Sequence, residues 1–548
     1  MESTGLPHER PVREVSCRDP IWALVFLIHF AFIVWLALAA GVPMVRSGAA
    51  PANDAAALAI QYAAGSLRLD SSAILSGIAI AVGAAAVSGL VMLILLQKLA
   101  GFLIRASFFF AMAALAAGAA VLFAYSLLAP AVILALLFLL VLGWYTCIRH
   151  RIDFAAAHVD VAVAALRSAP TLICVALGAL AVQGGWGVFW GLSAMGAGGF
   201  YAGSNATLTA AAVPQVAAAA YGAPSANAVA AVFCMLLSFF WVTMLIKDVV
   251  AFCAASVTGD WWFKGDKERH PVAGALRHAV TTSCGTLSLA ALLVAVVQAA
   301  RTLYNLAVKR ARDRGGGACS RNPCMCVWSC LVGCVLAVAQ WLISWANSWA
   351  VVFAALTGQN FYQSGLAAMA LFRARGWEAV INQDLVAVAL RVAALVSACV
   401  GAVAGGMATY AILDRPGVLN RTQQATVAAC LCFFVGAAMS TVLTSLLLSS
   451  TRAVFAAWAM SPHALATTHP QHAAKLADAW KKCHPEACKL WAPALCQQRA
   501  HTNTHTHHHH QHQHHHFLQG RPAGTAVSPA ATAGSRARLR WFRTQCRA

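Results

Sequence analysis

The chain reads as an all-α, polytopic helical membrane protein of about ten transmembrane helices, with both termini cytosolic. Three observations predict this. Of its 548 residues, 60% are hydrophobic and only 10% charged, giving a mean hydropathy of +0.69, which soluble domains of this length do not show. The apolar residues gather into runs of roughly 20 or more, enough to span a bilayer core. The charge between these runs is basic on one side and sparse on the other. Within lipid only a helix or a closed barrel satisfies every backbone group, and runs this long and uniform are not barrel strands.

Residues 1–20 form a short N-terminal segment carrying Arg10, Arg13 and Arg18. The first apolar run, 21–42, is too long for a signal-peptide core and should stay in place as span one. Further spans are expected at 72–96, 103–128, 130–148, 168–195, 226–256, 275–301, 324–356, 383–411 and 424–459, so residues 21–459 form the transmembrane domain. Lys98 and Arg105, then Arg149, Arg151 and Arg167, then Lys264, Lys267 and Arg269 fall on the side of the N-terminus. Residues 197–226 hold no Lys or Arg, and 43–71 hold only Arg46 and Arg68 against Asp54 and Asp70. Positive loops mark the cytosolic face. The sequons at Asn205 and Asn420 both fall in loops this rule places outside, which makes both residues candidate glycosylation sites.

One loop resists the rule. Residues 301–323 carry Arg301, Lys309, Arg310, Arg312, Arg314 and Arg321, yet strict alternation puts them outside. Either the loop breaks the rule, or segments seven and eight are incomplete crossings. The nearby Cys319, Cys324, Cys326, Cys330 and Cys334 lack the second ligand pair of a zinc site, and read as interface packing or acylation positions. The eighteen cysteines are scattered and read as reduced thiols. No metal and no cofactor is expected.

The net charge of +20 does not point to nucleic acid, because it lies in short loops and in one tail, where anionic lipid is the natural partner. That tail, residues 460–548, changes character after Lys482. Residues 501–516 are His-rich, a composition that cannot build a core, so the tail reads as a largely disordered cytosolic spacer.

The sixth span carries the densest pattern: Ser238, Trp241, Ile246-Lys247, Val249-Val250 and Trp262-Phe263. Cys17-Arg18-Asp19-Pro20 precedes span one, and Gly285-Thr286-Leu287-Ser288 lies in span seven. Asn347, Gly358, Phe361, Ser364, Arg375-Gly376 and Asp384 follow in order. In this series the chain resembles the choline transporter-like family over residues 17–482, in the shorter fungal or protist form. The resemblance implies transport of choline or a related small organic cation, multi-pass insertion and a plasma-membrane location. The alternatives are a carrier of another amine or solute, or a membrane enzyme of lipid headgroup metabolism. Such an enzyme needs clustered acids, histidines or metal ligands at one interface, and the sequence has no HExxH, no GxxxxGK[ST] and no repeated Asp motif.

A quaternary ammonium has no N–H, so its recognition rests on aromatic faces. In span five Trp186, Phe189 and Trp190 share a helical face, with Gly187 and Gly191 permitting close approach. In span six Phe240 and Trp241 lie on one face with Phe233. These rings, with Asn347 from the family-like motif, are the candidate substrate-binding residues; packing or an interfacial belt is the competing reading. Lys247 lies about 31 Å along span six, near the inner interface, and points roughly 100° away from Asp248. Both are candidates for a gating or an interface charge.

Overall fold

The computed structural model describes residues 17–42, 108–126, 128–149, 152–202, 226–265, 270–313, 323–375, 378–412 and 421–483, with isolated positions at 87, 102 and 105–106. Every regular element among them is helical. In chain order these are α1 (Pro20–Leu36), extended by a π-turn at Ala37–Gly41, α2 (Phe108–Ala124), α3 (Leu128–Ile148), α4 (Ile152–Arg167), α5 (Leu172–Ala202), α6 (Ala226–Lys264), α7 (Pro271–Val280), α8 (Cys284–Asp313), α9 (Pro323–Thr357), α10 (Phe361–Arg375), α11 (Glu378–Ile412), α12 (Arg421–Met460), α13 (Pro462–Thr468) and α14 (Pro470–Cys483). Five of them open on proline, whose fixed φ and missing N–H suit the first helical position. Gly358, at φ 72°, ends α9 in the left-handed region, and its N–H reaches the carbonyl of Ala354 at 2.9 Å.

Among the described residues six helices are long and apolar enough to cross a membrane, and they include α1, α6, α8 and α9. Exposure along them changes abruptly. Leu331, Val335, Val338, Trp341 and Leu342 of α9 are exposed, whereas Trp349 to Leu356 are buried. Leu395, Val400, Val403 and Met407 of α11 are exposed, and Val386, Ala387 and Leu390 are buried. Apolar side chains left outward over such a length mark a lipid-facing band. Beyond it the same helices continue inside protein. The 39 residues of α6 extend for about 58 Å, nearly twice a bilayer core.

The overshoot is enclosed by a helical cap. α6 packs against α4, α5, α7, α8, α9, α12 and α13. At its end the indole of Trp262 donates to the carbonyl of Ser461 at 3.1 Å, and the hydroxyl of Thr468 donates to the carbonyl of Trp262 at 3.0 Å. α14 lays Ala473, Leu476, Ala477 and Trp480 inward. Trp480 meets Phe154 of α4 edge-on at 4.8 Å, and His469 stacks on Trp261 at 3.9 Å. Residues 462–483 of the C-terminal tail are thus helical and packed; the His-rich tract lies outside the described residues.

Two expectations change, and one alternative left open by the sequence meets a finding. The loop holding Arg149, Arg151 and Arg167 contains α4, whose Ile152, Ala155, Val159 and Ala162 are buried at helical spacing. Span seven does not run unbroken over 275–301, because α7 and α8 are separated at Thr281–Ser283. There the Thr281 and Thr282 hydroxyls bond back to the carbonyls of Arg277 and His278, as such residues do where helices stop. Segments seven and eight contain full-length helices. They are joined by the Tyr304 hydroxyl on the carbonyl of Ser329 and by Arg301 on Gln340 at 2.5 Å, and α8 runs from Thr286 beside Asp19 to Asp313 at its other end; residues 314–322 of the basic loop lie outside the described residues. Span 72–96, Asn205 and Asn420 lie outside the described residues. The helix starts nearest the two sequons, Ala226 and Arg421, are at the uncapped end, because α6 and α12 both finish at the Trp262–Ser461 contact.

Candidate functional site

The candidate rings of spans five and six meet through span one. Trp186 of α5 stacks on Phe30 at 5.7 Å, Phe30 on Phe26 at 6.0 Å, and Phe26 meets Trp241 of α6 edge-on at 5.5 Å. His29 lies 4.9 Å from Trp241 between ring centres and shares a hydrogen bond with Ser238 at 3.1 Å. Trp241 is fixed by its indole N–H, which donates to the carbonyl of Ser288 at 2.9 Å. α1 is held by the hydroxyl of Ser193 on the carbonyl of Ile33 at 2.8 Å. α5 and α6 are joined by Gln183 on Thr243 at 3.0 Å. The result is an aromatic line across three helices, and the indole N–H of Trp186 within it is buried with no hydrogen-bond partner among the described residues.

The other ring candidates stand apart from that line. Trp190 donates to the carbonyl of Met235 at 2.9 Å and packs on Phe239 at 5.0 Å. Phe240 leans on Phe239 at 5.5 Å. Phe189 is 40% exposed, on the outer face of α5. Sequence reasoning missed Phe26, His29 and Phe30. Their spacing places all three on one helical face, which is the only signal an evenly apolar run could offer.

Asp248 follows Trp241 by seven residues, just under two turns, so it occupies the same face of α6 about 10 Å nearer the cap. It is 6% exposed. The amide nitrogen of Asn347, on α9, donates to its carboxylate at 3.1 Å. Asn347 is 5% exposed, and its Oδ1 is buried without a hydrogen-bond partner among the described residues. Lys247 acts on Asp248 through its charge, and Arg452 of α12 does so more weakly. Lys247 itself points outward and is exposed. Two of the sequence candidates, Asp248 and Asn347, therefore form one polar contact between α6 and α9 at the cap-side edge of the lipid-facing band.

A third cluster joins motifs that are far apart in sequence. One oxygen of Asp19 accepts the hydroxyl of Thr286 at 2.9 Å and the backbone N–H of Phe361 at 3.0 Å. The N–H of Arg18 donates to the carbonyl of Thr282 at 2.9 Å. A single carboxylate thus ties the starts of α1, α8 and α10. Among the described residues no three His, Cys, Asp or Glu side chains converge to hold a metal.

A family model described as "Plasma-membrane choline transporter" matches residues 132–463, more than half of the chain. The chain belongs to the choline transporter-like family. Relatives include a CTL-like protein of Dictyostelium discoideum, 21% identical over 374 residues, which are 67% of this chain and 60% of that protein. Protein PNS1 of Yarrowia lipolytica is 23% identical over 357 residues, covering 64% of this chain and 58% of its own length. Protein PNS1 of Neurospora crassa is 27% identical over 259 residues, 45% of this chain and 44% of that one. The chain thus spans about three-fifths of the length of the first two relatives. As a choline transporter-like protein it is a multi-pass membrane protein of a transporter family. The matched region takes in Trp186, Trp241, Asp248 and Asn347, whereas Asp19, Phe26 and Phe30 lie before it.

Proposed function

We propose that the chain carries choline or a related small organic cation across the plasma membrane, with both termini cytosolic and sugar on Asn205 and Asn420. The observation behind this reading is the shared face of α6, on which buried Trp241 of the aromatic line is followed by the buried carboxylate of Asp248. Aromatic faces attract a quaternary ammonium that offers no N–H, at a gain of about 2 kcal/mol once desolvated. A carboxylate further along the same face supplies opposite charge. The rings of α1, α5 and α6 close on one another here, so admitting a cation requires α1 to part from α6. The carrier needs no cofactor.

The test is uptake of labelled choline and ethanolamine into proteoliposomes holding the purified chain, compared with protein-free vesicles. Saturable uptake of either amine supports the reading. Uptake equal to that of empty vesicles overturns it.

A further inference from the structure

We infer that Asp248 and Asn347 form a second station for the transported cation, an acceptor site that distinguishes substrates bearing a hydrogen-bond donor from those without one. This rests on the transport reading above. The contact contains four side-chain oxygen and nitrogen atoms. The two carboxylate oxygens of Asp248 and Oδ1 of Asn347 accept hydrogen bonds, and Nδ2 of Asn347 donates at 3.1 Å to one carboxylate oxygen. Among the described residues this leaves Oδ1 of Asn347 buried and unpartnered, on a side chain that is 5% exposed. A buried acceptor left unmade is costly, and here it stands beside a buried negative charge. A cation carrying an O–H or N–H answers both needs, its charge meeting the carboxylate and its donor meeting Oδ1.

The charged neighbours fit a site that is held shut and can be exchanged. Arg452 of α12 is within Coulombic range of Asp248, so an arriving cation competes with a resident one rather than with bare burial. Lys247, roughly 100° round α6 from Asp248, is exposed and acts on it from the side as a second charge. Trp241, about 10 Å away along the helix, is too far to share one molecule of choline with Asp248. The two stations are therefore visited in turn. The donor-free head suits the rings at the first. At the second, the hydroxyl of choline or the ammonium of ethanolamine is what the polar pair reads.

The test compares choline with tetramethylammonium, which has the same charge and head but no donor, as competitors of labelled choline uptake in proteoliposomes. Wild-type protein should favour choline by roughly 10-fold, the size of one hydrogen bond to a polar or charged partner. Asp248→Asn should reduce uptake of every cation by about 10-fold or more. Asp248→Glu keeps the charge but displaces it, and should raise KM for choline while leaving the protein inserted. Asn347→Ser should bring the choline to tetramethylammonium ratio close to one. A purely structural contact would change the amount of folded protein without changing that ratio. If Asp248→Asn does not assemble, Asp248→Glu and Asn347→Ser still decide: an unchanged KM and an unchanged ratio overturn the inference. If wild-type protein takes up neither amine, the transport reading falls first and this inference with it. Wild-type uptake with insensitive variants removes this inference alone.

Discussion

The carboxylate of Asp19 receives the hydroxyl of Thr286 at 2.9 Å, across a separation of 267 residues. The same oxygen also takes the N–H of Phe361, so this one acceptor fastens the starts of three helices. A hydrogen bond to a charged group contributes about 1.5–3 kcal/mol. Asp19→Ala should therefore lower the stability of the detergent-solubilised protein by about 2 kcal/mol, and Asp19→Asn by less. In a double-mutant cycle with Thr286→Val the two effects should be non-additive by about 1 kcal/mol. Additive shifts in thermal midpoint would mean that the two residues act separately.

Gly285 should tolerate no side chain. A Cβ built there meets the backbone carbonyls of Asp19 and Arg18, neither of which can swing aside as a flexible side chain would. Gly285→Ala should push the N-terminal segment off α8 and destabilise by about 2 kcal/mol, typical of overpacking. Gly178 faces open space, and Gly178→Ala should be neutral or slightly stabilising as a helical substitution. Equal thermal midpoints for the two variants would contradict the close approach.

Docking of α14 should weaken in acid. Burial pushes the imidazole of His472 below its usual range; Asp160 opposes this, while Lys475 and His469 reinforce it. A base with a lowered pKa in the folded state binds fewer protons there than when released, so its contribution is complete above the ordinary histidine value of about 6.5 and is lost as pH falls below that value. Protection factors of the α14 amides, corrected for the intrinsic exchange rate, should therefore be constant between about pH 7 and 8 and fall toward about pH 5.5. His472→Gln should flatten that dependence. The Lys475 side of its 3.4 Å pair with Asp160 is largely exposed, so the pair should add little.

The helical, membrane-spanning character was legible because it depends on long apolar runs, which need no knowledge of packing. The run beginning at Ala226 matches the start of α6, but the helix continues past the expected end at Ser256 to Lys264, because the cap buries Trp261 and Trp262 in protein rather than leaving them at a lipid interface. α4 was hidden for the opposite reason. It is amphipathic, and a search for continuous hydrophobicity passes over it, although Ile152, Ala155, Val159 and Ala162 repeat at helical spacing.

The candidate site was legible in half. Trp186, Trp241, Asp248 and Asn347 could be selected because polar or bulky residues stand out in an apolar span, and the structure places them in contacts between helices. Phe189 could be ranked beside Trp186 only by spacing, since sequence cannot tell which side of α5 meets lipid; it faces outward. Phe26 and Phe30 were passed over because α1 is apolar apart from His29, and only its neighbours decide which face turns inward.

The most direct measurement is saturable choline uptake by protein carrying Trp241→Leu, set beside Trp241→Phe, each in proteoliposomes with equal amounts of inserted protein. If an aromatic face holds the cation, the leucine variant should lose about 30-fold in uptake efficiency, the worth of a desolvated cation–π contact, and the phenylalanine variant should retain a substantial part of it. Wild-type kinetics in the leucine variant would contradict the account.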